Sequence, residues 1–447
     1  MDYPIWDLSL GGGVLIGIVA ILHVVISHFA VGGGLLIAVV EARAVGRKDP
    51  ALRALARRSS RMLILVSTVL GALTGVGIWF TIGLVHPAAT GTLIRTFVWV
   101  WAAEWAFFLL EIVTALLYEA TWDRVSPRTH LVIIGLYAFA AWMSLVLIQG
   151  ILGFMLTPGR YPETRSLADA FFNPSYLPGL VLRSGLCLLL AGAWLTLAAL
   201  REKDRQARGR AVRLLAGFQM AGAAIGAAGL LLWERSLPEE ARRLFLGAKP
   251  LIASLGSTRS LFFLSLLLSA ALLLAALVFP RLVNPLSAVV ALLAGFAVLG
   301  SYERLREGAR KPFVLRDQMF SNGVLVSEVD DLNRRGVLAK ARWAATEPGQ
   351  AVPASTGRAV FRAQCSSCHT LDGYLSIRRI AEAFDRDTLV LFLSALRDDG
   401  PKWKKRPPDP KPDYPFMPPF VGTDAEIEAL ATYLDSLKPQ AAAEAAR

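Results

Sequence analysis

The sequence predicts a mainly α-helical chain, a polytopic membrane bundle of about eight crossings followed by a small all-α soluble domain. Three observations carry this reading. Of 447 residues, 54% are hydrophobic and only 18% are charged, and the mean hydropathy is +0.48, more apolar than a soluble globular chain tolerates. Windows of about 19 residues find eight apolar stretches, each long enough to cross a bilayer. Beyond Tyr302 the composition becomes that of a soluble domain, and two of the chain's three cysteines stand there close together.

The first four stretches run from Val14 to Val40, Met62 to Val85, Phe97 to Thr121 and Leu131 to Leu156. The next four run from Leu177 to Leu200, Leu214 to Trp233, Ser260 to Phe279 and Leu286 to Tyr302. A formal net charge of +12 raises the question of nucleic acid, but the cations sit where a topology signal puts them and form no aromatic-interleaved patch. The first connection holds Arg43, Arg47, Lys48, Arg53, Arg57, Arg58 and Arg61, and the fifth holds Arg201, Lys203, Arg205, Arg208, Arg210 and Arg213. Arg95 alone lies between Val85 and Phe97. Basic connections mark the inner side. The N-terminal segment, with Asp2 and Asp7 and no cation, is therefore expected outside, and an even number of crossings brings the C-terminal domain to the same side. No basic region precedes the first apolar run, so the first helix is expected to stay in the mature protein.

Cys365-Ser366-Ser367-Cys368-His369 is the attachment pattern for c-type haem. Two thiols two residues apart reach the two vinyl groups of one porphyrin, and the adjacent imidazole meets the iron. The competing reading is a redox or zinc CxxC with a neighbouring histidine. Met417, in Tyr414-Pro415-Phe416-Met417-Pro418-Pro419-Phe420, is the only methionine after His369 and the candidate second ligand. His/Met ligation favours electron transfer. Asp424 to Leu437 reads as a helix with an acidic start. From about Pro353 to Pro439 the chain resembles the small class I cytochromes c. Lys402, Lys404, Lys405 and Lys411 read either as a basic collar for an acidic donor or as a solvated loop. Cys187 is left without a partner, so no disulfide is expected.

Ionisable side chains inside apolar stretches are costly and therefore candidates for function. His23 and His28 lie on the first stretch, Glu104 and Glu111 on the third. At about 1.5 Å per residue His23 and Glu104 lie roughly 10 to 14 Å below the outer surface, with His28 and Glu111 near 20 Å. Five residues turn a helix by about 140°, so His23 and His28 do not share a face. Glu104, Glu111 and Glu119 fall near one stripe, which together with Glu41 suggests proton uptake from inside.

The membrane half resembles subunit I of the cytochrome bd oxygen reductases over roughly residues 10 to 320. The matching stretches are His23 to Glu41, Phe107-Phe108-Leu109-Leu110-Glu111 on to Trp122-Asp123-Arg124, and Glu307-Gly308-Ala309-Arg310-Lys311-Pro312-Phe313. The resemblance implies that His23, Glu104 and Glu307 hold two high-spin membrane haems, b-type and/or d-type. It implies that Arg310 meets a haem propionate and that Glu104 and Glu111 serve catalysis, Glu111 on a proton path. The family's low-spin haem needs a histidine on helix five and a methionine on helix seven. Here Arg183 stands near the first position, and Thr258 to Leu267 holds no methionine. The quinol-binding loop is shortened to about Glu234 to Thr258. Quinol oxidation is thus not expected, and the C-terminal domain replaces the family's ninth helix as the electron entrance, similar to the cytochrome-c-linked branch.

The chain is accordingly divided into a transmembrane haem-binding bundle over 1–313, an extracytoplasmic connector over 314–352, a cytochrome c domain over 353–439 and a disordered tail over 440–447. The resemblance implies a terminal oxidase in the bacterial inner membrane, with one covalent haem c. It would take electrons from a periplasmic cytochrome c or similar donor and reduce oxygen to water. Membrane lipid surrounds it, and a second membrane subunit or a homodimer is expected. Rival readings are an electron-relay subunit, which His28 keeps open by offering a further ligand, and reduction of nitric oxide or peroxide. Gly32-Gly33-Gly34 allows close helix contact, either with another subunit or within the bundle.

Overall fold

The computed structural model describes residues 3, 5–246, 253–346, 352–398 and 417–438. Among them, eight helices are long and apolar enough to cross a membrane. They are α1 (Gly12–Arg47), α2 (Pro50–Val85), α3 (Val98–Ala120), α4 (Pro127–Leu156), α5 (Tyr176–Ala199), α6 (Arg205–Ser236), α7 (Gly256–Val278) and α8 (Pro285–Ala309). The chain is thus a multi-pass, almost wholly helical membrane protein.

Several helices outrun their apolar stretches. α2 starts at Pro50, twelve residues ahead of the expected Met62, with Asp49 capping the amides of Ala51 and Leu52 at 2.9 and 3.2 Å. Hydropathy misses this segment because its arginines are polar, yet Leu52, Leu55, Ala56, Ser59 and Leu63 recur at helical spacing and are buried. Asp204 likewise caps α6 and starts it at Arg205, ahead of Leu214. Within α2, Leu65–Gly71 widens to a π-helix, a local expansion that is frequent beside functional sites.

The described residues divide into two compact units. One comprises residues 19–77 and 94–309, the body of the bundle. The triple glycine of α1 packs internally: Gly32 lies against the Cys187 carbonyl of α5, Gly33 against Leu63 of α2 and Gly34 against Tyr137 of α4. At Gly32 an added Cβ would sit 2.0 Å from the Cys187 oxygen, so only glycine lets the two helices approach this closely. α5 is the interior helix, with 67% of its apolar window buried against 17 to 44% for the other seven.

The other unit gathers residues 1–18, 78–93 and the described part of 310–447. Its C-terminal portion holds helices α9 (Val352–Gln364), α10 (Ile377–Ala381), α11 (Arg386–Asp398) and α12 (Asp424–Ser436). They enclose a core that includes Val360, Phe361, Leu389, Leu393, Leu430 and Leu434. Thr423 and Glu426 form a reciprocal capping box at the start of α12. The connector is ordered where described. Phe313–Leu315 and Met319–Phe320 pair as a short antiparallel hairpin, and Val329–Arg335 is helical. Buried Glu426 then accepts the amides of Val337 and Leu338 at 2.9 and 3.0 Å, tying connector to α12. The N-terminal segment joins this unit through Ser9, whose carbonyl accepts the Tyr374 amide at 3.1 Å.

Candidate functional site

In the C-terminal domain, α9 ends at Gln364 and the chain turns so that the amides of Cys368 and His369 both bond the Cys365 carbonyl, at 3.0 and 2.8 Å. This turn holds Cys365, Cys368 and His369 in one compact loop, with the two cysteines close enough to interact. His369 Nδ1 donates to the Leu375 carbonyl at 3.0 Å, which fixes the tautomer and leaves the Nε2 lone pair for a metal. Burial pushes the Cys365 thiol up to about 12, with Cys368 beside it adding to the shift. The donor set therefore fits a covalent haem. Met417 is half-buried, two residues before the buried Phe420 side of the loop begins at Pro419. Lys402, Lys404, Lys405 and Lys411, the Tyr414 to Phe416 part of the methionine loop, and the tail over 440–447 lie outside the described residues.

In the bundle, His23 and His28 are held differently but to the same effect. The Thr74 hydroxyl donates to the Leu70 carbonyl at 2.6 Å, so it accepts from His23 Nδ1 at 3.0 Å. Thr74 lies three residues beyond the end of the π-helical segment at Gly71, and Gly75 leaves room for the ring, since a Cβ there would meet His23 Cε1 at 3.2 Å. His28 is buried and donates from Nδ1 to the Val24 carbonyl at 2.8 Å. Its Nε2 has no hydrogen-bond partner among the described residues. In both rings the distal nitrogen is left with its lone pair, the state a metal-ligating histidine requires.

Glu104 and Glu111 lie half-buried on α3. Glu111 accepts from the hydroxyl of buried Tyr137 at 3.1 Å. Glu119 is tied to α2, accepting from Ser60 at 2.8 Å and pairing with Arg61 at 3.1 Å. Glu307 is half-buried near the end of α8, and Arg310, buried in the other unit, donates to the Val314 carbonyl.

Two clusters were not legible in the sequence. The first joins Glu41 of α1 to Tyr118 of α3 and His130 of α4, all buried. The Tyr118 hydroxyl donates to Glu41 Oε2 at 2.5 Å, and His130 Nδ1 lies 2.5 Å from Glu41 Oε1. His130 Nε2 donates to the Tyr118 carbonyl at 2.9 Å. An imidazole set against a carboxylate in this way is a pairing through which a proton can pass. The available signal was one histidine just ahead of the fourth apolar stretch, outside the hydropathy window. The second cluster places Arg183 of α5 within 2.5 Å of Glu303 on α8, with Arg306 on the other carboxylate oxygen at 3.0 Å. Arg183 is 1% exposed, so the two arginines and Glu303 form a buried ionic network.

Residues 14–231 match the family model for cytochrome bd terminal oxidase subunit I, and residues 354–438 match that for cytochrome c. Among solved structures, the bd oxidase from Geobacillus thermodenitrificans is similar in fold, with a TM-score of 0.59 at 16% identity. The similarity covers 68% of this chain and 88% of that one. No curated protein matches the chain.

Proposed function

We propose a function from one premise: the membrane region of this chain belongs to the cytochrome bd terminal oxidase subunit I family and its C-terminal region to cytochrome c. The chain is therefore a multi-pass membrane oxidoreductase of the electron-transfer class. The reading we favour is a cytochrome c:oxygen oxidoreductase that takes electrons from a periplasmic cytochrome c or similar donor. Bound haems would supply the one-electron carriers and, where an iron position is open, the place at which oxygen is reduced.

The residues then divide the work. Cys365 and Cys368 attach haem c, and His369 and Met417 ligate it. His23, Glu104 and Glu307 hold two membrane haems, and Arg310 neutralises a propionate. The observation that carries this is His23, whose Nδ1 donates to Thr74, the tautomer that keeps the Nε2 lone pair for a ligand. Glu111, hydrogen-bonded by Tyr137, and the Glu41–Tyr118–His130 cluster hold protons on the way in. Basic connections on the cytoplasmic side put the cytochrome c domain outside. Quinol is not the donor in this reading, since Arg183, paired with Glu303, stands near the position at which the resemblance calls for a haem-ligating histidine.

The second reading is a relay that passes electrons between periplasmic cytochromes and a partner complex. His28 favours it, because its free Nε2 is a further ligand in the same helix. An optical spectrum of the dithionite-reduced protein with and without carbon monoxide, beside a pyridine haemochrome assay, separates the two. A carbon monoxide shift in a b- or d-type component is expected. A membrane-haem spectrum indifferent to carbon monoxide would overturn the oxidase reading in favour of the relay.

A further inference from the structure

A cavity of about 240 Å³ opens in the bundle where the ends of α1 and α5 meet the starts of α2 and α6. Four arginines line it, Arg43, Arg47, Arg58 and Arg210, with two carboxylates, Asp49 and Glu202. Both carboxylates are already engaged. Asp49 accepts the amides of Ala51 and Leu52, while Glu202 accepts the Lys203 amide at 3.0 Å and pairs with Arg58 at 3.3 Å. Among the described residues, Arg43, Arg47 and Arg210 have no carboxylate at ion-pairing distance. Arg43 rests on the Phe218 ring, 5.3 Å from its centroid, and among the described residues its buried Nη1 has no hydrogen-bond partner, nor has the buried Nε of Arg58.

A recess lined by four guanidinium groups, three of them with no carboxylate at ion-pairing distance among the described residues, suits an oxyanion. Guanidinium forks match the geometry of a phosphoryl group and bind it through paired hydrogen bonds. The remaining wall is apolar, formed by Leu52, Leu55, Ala211 and Leu214 among others, and basic recesses between membrane helices suit anionic headgroups. We infer that this cavity is a binding site for a phosphoryl oxyanion, held by Arg43, Arg47 and Arg210. An anionic phospholipid or free inorganic phosphate offers that chemistry. Neither the haem ligands nor the carboxylates assigned to proton transfer take part, so the site stands apart from the proposed oxidase chemistry.

The test uses full-length, delipidated holoprotein in detergent, titrated with phosphatidylglycerol, phosphatidylcholine or inorganic phosphate. Binding is read by native mass spectrometry and by the unfolding midpoint. Phosphatidylglycerol is expected to bind and raise the midpoint where phosphatidylcholine does not. Arg43→Gln, and separately the exposed pair Arg47→Gln/Arg210→Gln, should weaken that binding about tenfold each, the equivalent of one lost charge-assisted hydrogen bond. A midpoint raised equally by inorganic phosphate also supports the site and assigns free phosphate as its source. Equal responses to phosphatidylglycerol and phosphatidylcholine with none to phosphate, or unchanged binding in the Arg47/Arg210 variant, would overturn the inference. The exposed pair keeps the test decisive if Arg43→Gln does not fold.

Discussion

The two histidines of α1 show how much a single hydrogen bond settles. From the sequence they are equivalent, two ionisable groups in an apolar helix. In the structure the Thr74 hydroxyl and the Val24 carbonyl each accept from an Nδ1–H, the tautomer that keeps the Nε2 lone pair for a ligand. His23→Ala is expected to lower the membrane haem content relative to haem c, which the pyridine haemochrome ratio reads directly. An unaltered ratio would remove His23 from the ligand set. The haem c motif was legible because it is local, five consecutive residues. Glu41 and His130 were not, since they stand 89 positions apart and only the packing of α1 on α4 unites them. Glu426 belongs with them. It accepts the amides of Val337 and Leu338, and also Thr423 at 3.2 Å. Glu426→Ala strands these donors and should destabilise the cytochrome c domain by about 3 kcal/mol. Denaturant unfolding followed at the haem c absorption band measures this, and a loss below about 0.5 kcal/mol would mean that water replaces the carboxylate.

At the scale of elements, hydropathy located every crossing, because burial in lipid imposes the same apolar requirement on each of them. It misplaced the starts of α2 and α6, whose first turns are amphipathic helix rather than loop, and it had no means of seeing the π-helical turn before Thr74. The triple glycine was ambiguous in sequence between contact with a second subunit and internal packing. The structure uses it internally, against α2, α4 and α5 at successive positions. Gly32→Val therefore drives a side chain into the Cys187 carbonyl and is expected to cost about 3 kcal/mol or more. Gly17, on the same helix with nothing within 4 Å of an added Cβ, is the control, where alanine should be neutral or stabilising by up to about 1 kcal/mol. Detergent-solubilised thermal midpoints of the two variants test the contrast. Equal midpoints would show that α1 and α5 can separate at Gly32 without penalty.

For the whole molecule, the balance of charge movement follows from which side supplies electrons and which supplies protons. In the proposed reading the cytochrome c domain receives electrons outside the membrane, whereas Glu41, Tyr118 and His130 gather at the end of α1 that leads into the arginine-rich connection. Electrons and protons meeting from opposite sides transfer charge across the bilayer without any pumping step. In proteoliposomes with the cytochrome c domain facing out, turnover driven by an external reduced donor should alkalinise the lumen and build a potential, negative inside. Glu111→Gln removes a carboxyl group between that inner cluster and the proposed haem ligands of α1 and α3. It should slow oxygen consumption and lumen alkalinisation together, by at least tenfold, the usual range for loss of a positioned proton donor. Reduction of haem c by the donor should keep its normal rate, because that step lies before any proton is needed. Unchanged turnover would take Glu111 off the proton path. Normal turnover with alkalinisation abolished would instead mean that protons arrive from outside, which would discard the electrogenic arrangement and leave the ligand assignments standing.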